Sequence, residues 1–326
     1  MASHPRGSRP RRTLLAALIT ASVAVPVSGA ARSAAVPAPA PTASAPLRDA
    51  TPAALTKRYT ASRDDIQAAG RMATDHGDQW RAAMLHAMAD PARHFLFFDG
   101  RDGGRTAEVF GDLSQAEQIA VLVPGSDTNL DKYGYVRAGG LALQQRLGDR
   151  TAVRTAVIAW LGYPTPSTVS LGALTPDRAQ EAAPDLNTFV RELHAARPAA
   201  RISLLCHSYG SVVCAAAAPG LDVADIVLYG SAGVAADTAA ALHTRATVWA
   251  SRSSGDWIAD VPHTRLHLPF ATLGFGTDPV SPEFGAHLFP AGDGGHSGYL
   301  RHGSLSLESI ARIVTGQAPA EAGRDA

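Results

Sequence analysis

The 326-residue chain has little of several features that would narrow its function. Two cysteines are too few for a disulfide-framed miniprotein or a structural zinc cluster. The 29 basic and 29 acidic residues cancel, so no charge excess favours nucleic acid. Charged residues make up only 18% of the chain and apolar residues 46%, which is typical of a globular protein and not of a disordered one.

Motifs for bound cofactors and metals are also missing. The sequence has no G-x-x-x-x-G-K loop, and the stretch Gly274-Phe275-Gly276 is too incomplete for a dinucleotide loop. His263 and His267 are four residues apart, but no H-E-x-x-H motif accompanies them. We therefore expect no cofactor, no metal and no nucleic-acid partner.

The first thirty residues resemble an export signal peptide. They contain four arginines and no acid, and residues 14–25 form an uncharged stretch that ends shortly before the small residues Ser28, Gly29 and Ala30. This stretch is too short for a membrane-spanning helix of about 20 residues. Arg11-Arg12 resembles a twin-arginine signal, although the Sec route stays open. We expect a secreted or envelope-associated protein with no membrane span after cleavage.

Two segments separate this signal from the remaining chain. Residues 31–50 alternate Ala, Pro, Ser and Thr, which favours an extended, poorly packed linker. Residues 51–94 read as a helical segment, with a helix capped at Ser62 and a second helix after Asp78. We interpret this segment as a packing element, with a lid as the alternative.

From residue 95 onward, short apolar runs alternate with helical stretches, a pattern that predicts an α/β fold with a mainly parallel sheet. The predicted strands are Phe95–Phe98, Thr106–Phe110, Gln118–Val123, Ala156–Leu161, Arg201–Cys206, Asp225–Tyr229, Ala246–Ala250 and His287–Phe289. The predicted helices are Gly139–Leu147, Pro176–Ala196, Tyr209–Ala218, Ala235–His243 and Ser306–Val314.

Ser208 is the candidate nucleophile. Around Cys206-His207-Ser208-Tyr209-Gly210, a buried strand runs into a sharp turn. The chain then continues directly into a helix of small residues, as in a nucleophile elbow. The G-x-S-x-G pattern has glycine where this chain has Cys206, a departure that weakens the motif. A serine in an ordinary strand-to-helix turn is the alternative.

Candidate partners for Ser208 follow in the order acid, then histidine. Asp256 comes just after a predicted strand, and His296 follows the last predicted strand in a glycine-rich turn. Asp260 is the alternative acid. His207 adjoins the serine, but we expect its side chain to point away from the elbow. A neutral imidazole activates a serine hydroxyl, and a carboxylate orients the imidazole.

The backbone and the aromatic residues supply further candidates. We expect the backbone N–H groups of Ser126 and Tyr209 to form an oxyanion hole. Long loops after two strands predict a substrate pocket above the sheet. Its candidate lining residues are Trp160, Tyr163 and Trp257, with Phe270, Phe275 and Phe284 as further aromatic candidates.

Cys206 and Cys214 flank the elbow on a strand and a helix. In an exported protein they could pair, but the packing distance between a strand and a helix is expected to exceed the disulfide limit of about 7 Å. The sequence therefore predicts two buried thiols.

Five stretches together resemble the alpha/beta-hydrolase superfamily, and most closely a poorly characterised bacterial serine-hydrolase branch of it. They are VLVPGSDTNL from Val121, WLGYPTP from Trp160, LCHSYGSVV from Leu205, GTDPVSPEFG from Gly276 and GHSGY from Gly295. The resemblance implies an alpha/beta-hydrolase fold with Ser208, Asp256 and His296 as its triad. We assign residues 95–316 to the hydrolase domain and expect residues 317–326 to form a disordered tail.

The leading functional hypothesis is an exported carboxylic ester hydrolase that acts through an acyl-enzyme on a small-molecule or lipid ester. Acyl transfer and amide cleavage use the same triad and stay open. A catalytically silent hydrolase fold that serves as a binding module is the alternative from a different class.

Overall fold

The structure is a computed structural model that describes residues 36–43, 45–150, 152–261, 263–268 and 271–319. The predicted export signal lies outside the described residues, as do residues 31–35, residues 320–326 and Phe270. Among the helices in the described part of the chain, none is both long enough and apolar enough to cross a membrane.

The regular elements alternate along the chain as predicted. The helices are α1 (Pro52–Asp75), α2 (Gln79–Met88), α3 (Tyr133–Arg150), α4 (Asp177–Ala196), α5 (Gly210–Ala217) and α6 (Leu305–Val314). The strands are β1 (His94–Asp99), β2 (Arg105–Gly111), β3 (Gln118–Val123), β4 (Thr155–Leu161), β5 (Arg201–His207), β6 (Asp225–Tyr229), β7 (Thr247–Ser251), β8 (Leu266–Leu268), β9 (Ala271–Leu273) and β10 (His287–Leu288).

Eight strands form one sheet in the order β1-β2-β4-β3-β5-β6-β7-β10. The pairs β1/β2 and β2/β4 are antiparallel, and every pair from β4 to β10 is parallel. This arrangement confirms the predicted mainly parallel sheet. The carboxyl ends of β3, β5, β6 and β7 therefore meet at one edge, where parallel sheets place ligands.

Helices cover both faces of this sheet. In β3, Ile119 and Val121 belong to the hydrophobic cluster that also contains residues of α4 and α5, whereas Ala120 and Leu122 pack with residues of α3 and α6. Successive residues of a strand point to opposite faces, and both faces are buried here. This explains why the central strands read as continuous apolar runs.

The first helix begins earlier than predicted. The Thr51 side chain accepts a hydrogen bond from the Ala54 N–H, and Pro52 occupies the first helical position, where its missing N–H costs no hydrogen bond. Ser62 lies buried in the middle of this helix, so the prediction of a cap at Ser62 is wrong. The prediction for the second helix is confirmed, since Asp78 caps α2.

The described part of the predicted linker is packed at its C-terminal end, which corrects the expectation of a poorly packed segment there. Leu47 and Ala50 are buried in the main core, and the Leu47 N–H donates a hydrogen bond to the Glu192 carboxylate. The Thr42 hydroxyl donates to Asp65 of α1. Through Thr42 and Leu47, this segment contacts both α1 and the sheet domain.

One local prediction fails between β6 and β10, and one strand pair there had no prediction. The predicted helix Ala235–His243 is reduced to a 3₁₀ turn at Ala240–Leu242, and both Ala235 and His243 adopt positive φ angles that a regular helix excludes. The antiparallel pair β8/β9 was not predicted. Its strands have three residues each, too short for a clear alternating pattern.

Candidate active site

Ser208 occupies a sharp turn between β5 and α5. Its φ of +53° lies in the left-handed region, which few residues other than glycine adopt. The Ser208 N–H donates to the Tyr229 carbonyl at 3.0 Å and so ties the turn to β6. A Cβ at Gly210 would lie 2.3 Å from the Val123 carbonyl oxygen, so the turn requires glycine two residues after the serine. Backbone strain at a partly buried serine that lines a cavity is typical of a functional turn.

His296 joins Ser208 to Asp256. Its Nε2 lies 3.0 Å from the Ser208 Oγ, and its Nδ1 lies 2.9 Å from Asp256 Oδ1. With the proton on Nδ1, His296 donates to the carboxylate and accepts from the serine hydroxyl, which is the arrangement that base catalysis requires. Asp260 is exposed at the end of the 3₁₀ turn Trp257–Asp260, so the geometry favours Asp256 over Asp260.

The Asp256 carboxylate is held ionised inside the protein. Its side chain has no solvent exposure, and burial alone raises the pKa of a carboxyl group. Hydrogen bonds from His296, from the Ile258 N–H and from the Tyr299 hydroxyl outweigh burial and hold the pKa of Asp256 below its usual value. A charged partner for the Nδ1 proton of His296 is therefore present at neutral pH.

The loop after β3 lies against Ser208. A Cβ at Gly125 would come 2.6 Å from Ser208 Cβ and 3.1 Å from Ser208 Oγ, so only glycine allows this approach. Ser126 and Tyr209 line the same cavity as Ser208. Among the described residues, neither the Ser126 N–H nor the Tyr209 N–H donates a hydrogen bond. Two unpartnered backbone donors beside a serine are the groups that an oxyanion hole needs.

A sequence profile described as Alpha/beta hydrolase matches residues 99–266, which is just over half of the chain. The chain belongs to the alpha/beta hydrolase family. Two uncharacterized proteins of Mycobacterium tuberculosis are similar to it. Rv0963c is 32% identical over 177 residues, which cover 48% of this chain and 66% of the relative. Rv2079 is 31% identical over 272 residues, which cover 71% of this chain and 40% of the relative.

Among the solved structures similar to the chain are an esterase and a serine hydrolase. The crystal structure of esterase PE8 has a TM-score of 0.45 at 16% identity and covers 65% of this chain and 98% of that chain. A serine hydrolase without a lid from Xanthomonas campestris has a TM-score of 0.42 at 16% identity, with 69% of this chain and 93% of that chain covered.

A cavity of about 670 Å³ opens beside Ser208 and His296. Trp160, Tyr163 and Trp257 were the leading candidates for its lining. Of these three, Trp257 lines the cavity, and its ring lies 4.8 Å from that of His296. Trp160 and Tyr163 are buried in the core and do not line this cavity, so their predicted place in the pocket is wrong. Phe275 lines it, whereas Phe284 is buried elsewhere in the core.

Tyr163 instead supports the loop of this alpha/beta hydrolase that carries Gly125 and Ser126. Its hydroxyl donates to the Pro124 carbonyl at 2.6 Å, and its ring stacks on Trp160. Pro124 directly precedes Gly125, so Tyr163 fixes the height of that loop above the sheet. Tyr163 therefore supports this loop and does not contact the cavity.

The cavity lining combines polar and apolar side chains. The loop after β3 and the start of α3 supply its polar side chains, which are Asp127, Thr128, Lys132 and Tyr135. Helix α5 and the segments around residues 174, 258 and 275 supply its apolar side chains, which are Leu174, Val212, Ile258, Val261 and Phe275. Such a cavity suits an organic molecule with an apolar part, since most small-molecule sites combine apolar walls with a few polar groups.

His207 does not point away from the site as predicted. Its ring lies 4.7 Å from the His296 ring, and its Nε2–H donates to the His296 carbonyl at 2.8 Å. Burial, together with the neighbouring His296, lowers the pKa of His207 to about 4. His207 is therefore neutral at pH 7 and braces the backbone of His296.

Cys206 and Cys214 form a disulfide, which corrects the prediction of two free thiols. Their Cα atoms are 6.4 Å apart, within the range that a disulfide spans. The helix α5 starts only four residues after Cys206, and Cys214 is its fifth residue, so Cys214 lies closer to the end of β5 than ordinary packing between a strand and a helix would place it. In the described part of the chain, no cluster of three potential ligands could hold a metal ion.

Proposed function

We propose that this alpha/beta hydrolase is an exported serine hydrolase that cleaves carboxylic esters. One observation carries the proposal: His296 contacts the Ser208 hydroxyl through Nε2 and the Asp256 carboxylate through Nδ1, at 3.0 and 2.9 Å. Ser208 is the nucleophile, His296 the general base and Asp256 the residue that orients His296. Within hydrogen-bond reach, such a base activates an otherwise weak serine nucleophile.

The reaction follows from these positions. The Ser208 Oγ attacks the ester carbonyl while its proton passes to His296 Nε2. The carbonyl oxygen becomes an oxyanion, which the N–H groups of Ser126 and Tyr209 stabilise. His296 then returns the proton to the leaving alcohol, and the acyl group stays on Ser208. Water, deprotonated by His296, attacks this acyl-enzyme and releases the acid, which regenerates the serine.

The shape of the cavity suggests the class of substrate. Because Leu174, Val212 and Phe275 form an apolar wall beside Ser208, esters with an apolar acyl or alcohol part gain free energy by leaving water there. The lining also includes the charged side chain of Lys132. A small-molecule or lipid ester fits these surfaces.

Two independent observations support export. The N-terminal segment combines arginines with an uncharged stretch and small residues, as signal peptides do. The disulfide between Cys206 and Cys214 favours an oxidising compartment, because disulfides are rare in the cytosol of mesophiles. We propose cleavage after Ala30 and a secreted or envelope-associated mature protein.

The activity is tested with a fluorophosphonate, which reacts with an activated serine. Purified protein and the Ser208→Ala variant are incubated with the probe, and intact mass is measured alongside turnover of p-nitrophenyl acetate and longer esters. We expect one adduct and ester turnover in the wild type and neither in the variant. Ser231→Ala serves as the matched control, since Ser231 is a buried serine outside the cavity lining.

Each outcome decides the proposal. An adduct that survives in Ser208→Ala would place the reactive serine elsewhere. A folded wild type with neither adduct nor turnover would refute the serine hydrolase and favour a binding module with this fold. An adduct without ester turnover would support the triad but refute an ester as the substrate. It would favour another acyl compound, such as an amide.

A further inference from the structure

Tyr299 makes a contact with Asp256 that the mechanism above does not use. Its hydroxyl donates to Asp256 Oδ2 at 2.7 Å and accepts from the Ser253 N–H at 3.0 Å. The ring is buried, with 1% of its surface exposed. A phenol has one proton to donate, so the Ser253 N–H fixes the hydroxyl as a donor toward the carboxylate.

The loop that carries His296 also carries Tyr299. The Gly298 N–H donates to the Gly295 carbonyl at 2.7 Å and closes a tight turn around His296. Because of this turn, His296 and Tyr299 contact the same carboxylate of Asp256. His296 lies within hydrogen-bond distance of both oxygens, and Tyr299 donates to Oδ2 alone. The short stretch from Gly295 to Tyr299 therefore contains both the base and a second group that holds the acid.

The hydrogen bonds around Asp256 divide between its two oxygens. Oδ1 accepts from the Ile258 N–H at 2.9 Å, and Oδ2 accepts from Tyr299. Each oxygen thus has one donor besides His296, which fixes the plane of the carboxylate relative to the imidazole. Without the Tyr299 hydroxyl, Oδ2 would keep only the longer contact of 3.1 Å to His296.

We propose that Tyr299 is a positioning residue that acts through Asp256: its hydroxyl fixes the orientation of the carboxylate and withdraws part of its negative charge from His296. The inference rests on the proposed function, since it concerns the same triad. A neutral donor to the carboxylate weakens the attraction between Asp256 and a protonated His296, so Tyr299 helps to keep His296 neutral and able to act as base.

The neighbouring Tyr229 allows a test that separates the hydroxyl from the ring. Tyr229 is also buried, and its ring lies 5.2 Å from the Tyr299 ring. Among the described residues its hydroxyl makes no hydrogen bond. Tyr229→Phe therefore removes a hydroxyl from the same aromatic cluster without removing a donor to Asp256.

Few other groups near His296 titrate in the working range. Burial, with the neighbouring His296, keeps the pKa of His207 at about 4, and burial raises the pKa values of the surrounding tyrosines. The acid limb of activity therefore does not arise from these neighbours. The titratable groups that face His296 directly or through His207 are Asp256, His207, Tyr135, Tyr229 and Tyr299.

The test measures the rate of fluorophosphonate labelling of Ser208 between pH 4 and pH 9 in the wild type, Tyr299→Phe and Tyr229→Phe. For Tyr299→Phe we expect a rate about tenfold lower at the plateau and an acid limb shifted to higher pH by about half a unit, because the carboxylate regains charge and favours protonated His296. Tyr229→Phe is expected to superimpose on the wild type. The low-field proton resonance of His296 Nδ1–H, followed by NMR in the resting protein, should titrate with the same shift.

A fluorinated tyrosine at position 299 tests the effect of a stronger hydrogen bond to Asp256. It also provides a folded protein for the test if Tyr299→Phe does not fold. Its hydroxyl is a stronger donor, so the acid limb is expected to move to lower pH. Superimposable acid limbs for wild type, Tyr299→Phe and the fluorinated protein would overturn the inference. Labelling of Ser208 in the same experiment would still support the proposed function. A wild type that is not labelled at any pH would instead refute the proposed function itself, and an unshifted His296 resonance in Tyr299→Phe would then refute the inference as well.

Discussion

The disulfide between Cys206 and Cys214 closes a covalent ring that contains Ser208. Cys206 is the last buried residue of β5 before the turn, and Cys214 lies in the middle of α5, so the bond joins the strand before the serine to the helix after it. The Cys206 side chain takes the position at which the family pattern has glycine. A disulfide therefore reinforces the strained turn where a smaller residue usually stands.

Removal of this disulfide should lower stability. For the double variant Cys206→Ala/Cys214→Ala we expect the free energy of unfolding to fall by about 2.5 kcal/mol, because a short closed loop constrains the unfolded chain. Urea denaturation measures the change, and dithiothreitol should affect the wild type but not the variant. Two reactive thiols in unreduced, denatured wild type would contradict the disulfide.

Gly125→Ala should impair chemistry more than stability. The added methyl group would lie 2.6 Å from Ser208 Cβ, so either the loop or the serine must shift. A shift of this size in a catalytic site lowers kcat by about 100-fold. Gly134→Ala is the matched control, since a Cβ there meets nothing within 4 Å. Equal ester turnover by the two variants would show that the loop yields without disturbing Ser208.

The fold was readable from the sequence wherever burial dictates the pattern. The strands from Gln118 to Tyr229 lie within one residue of their predicted bounds because both faces of the sheet are covered and the apolar runs are continuous. The predicted helix at Ala235–His243 failed although alanine has the highest helix propensity, because tertiary contacts of this segment override that preference. The Ala235 N–H donates instead to the Phe275 carbonyl.

In the candidate site, too, some residues could be predicted from the sequence and others could not. Ser208, Asp256 and His296 were proposed because each follows a strand, and sheet topology brings strand ends together. Tyr299 and the inward turn of His207 were not predicted, because their contacts depend on how one loop closes. The only sequence signal for Tyr299 was its place three residues after His296. Trp160 and Tyr163 looked like pocket residues by composition, but the alternation of β4 and the packing beneath the loop placed them in the core.

Stability should depend on pH through His207. Its pKa of about 4 lies below the ordinary value of 6.5, so the unfolded chain takes up the proton first as the pH falls. The contribution of His207 is fully present above pH 6.5 and is lost between pH 6.5 and about 4. We expect the free energy of unfolding to fall in that window by about 1 kcal/mol per pH unit from this group.

The measurement compares urea denaturation of the wild type and His207→Gln at several pH values. Glutamine keeps an N–H donor for the His296 carbonyl but does not titrate, so the variant should show a shallower fall between pH 6.5 and 4. Below pH 4 the two proteins should lose stability in parallel, as carboxylates such as Asp256, whose pKa is lowered, take up protons. Parallel curves across the whole range would place the His207 pKa near its ordinary value.

Trp257 should determine the preference for longer acyl or alcohol groups. It follows Asp256 directly, lines the cavity and leaves 49% of its surface exposed, so it offers an apolar face that a substrate can cover. For Trp257→Ala we expect kcat/KM for p-nitrophenyl hexanoate to fall about tenfold, and that for the acetate to change little, since only the longer chain buries additional apolar surface.

The control for this comparison is Trp80→Ala, because Trp80 is also exposed but lies on α2 outside the cavity lining. The Trp257 ring also packs 4.8 Å from that of His296, and a loss of support for the base would lower turnover of both esters equally. The ratio of the two kcat/KM values therefore separates the roles. An unchanged ratio would assign Trp257 to the positioning of His296, whereas a reduced ratio with normal acetate turnover would assign it to contact with the substrate.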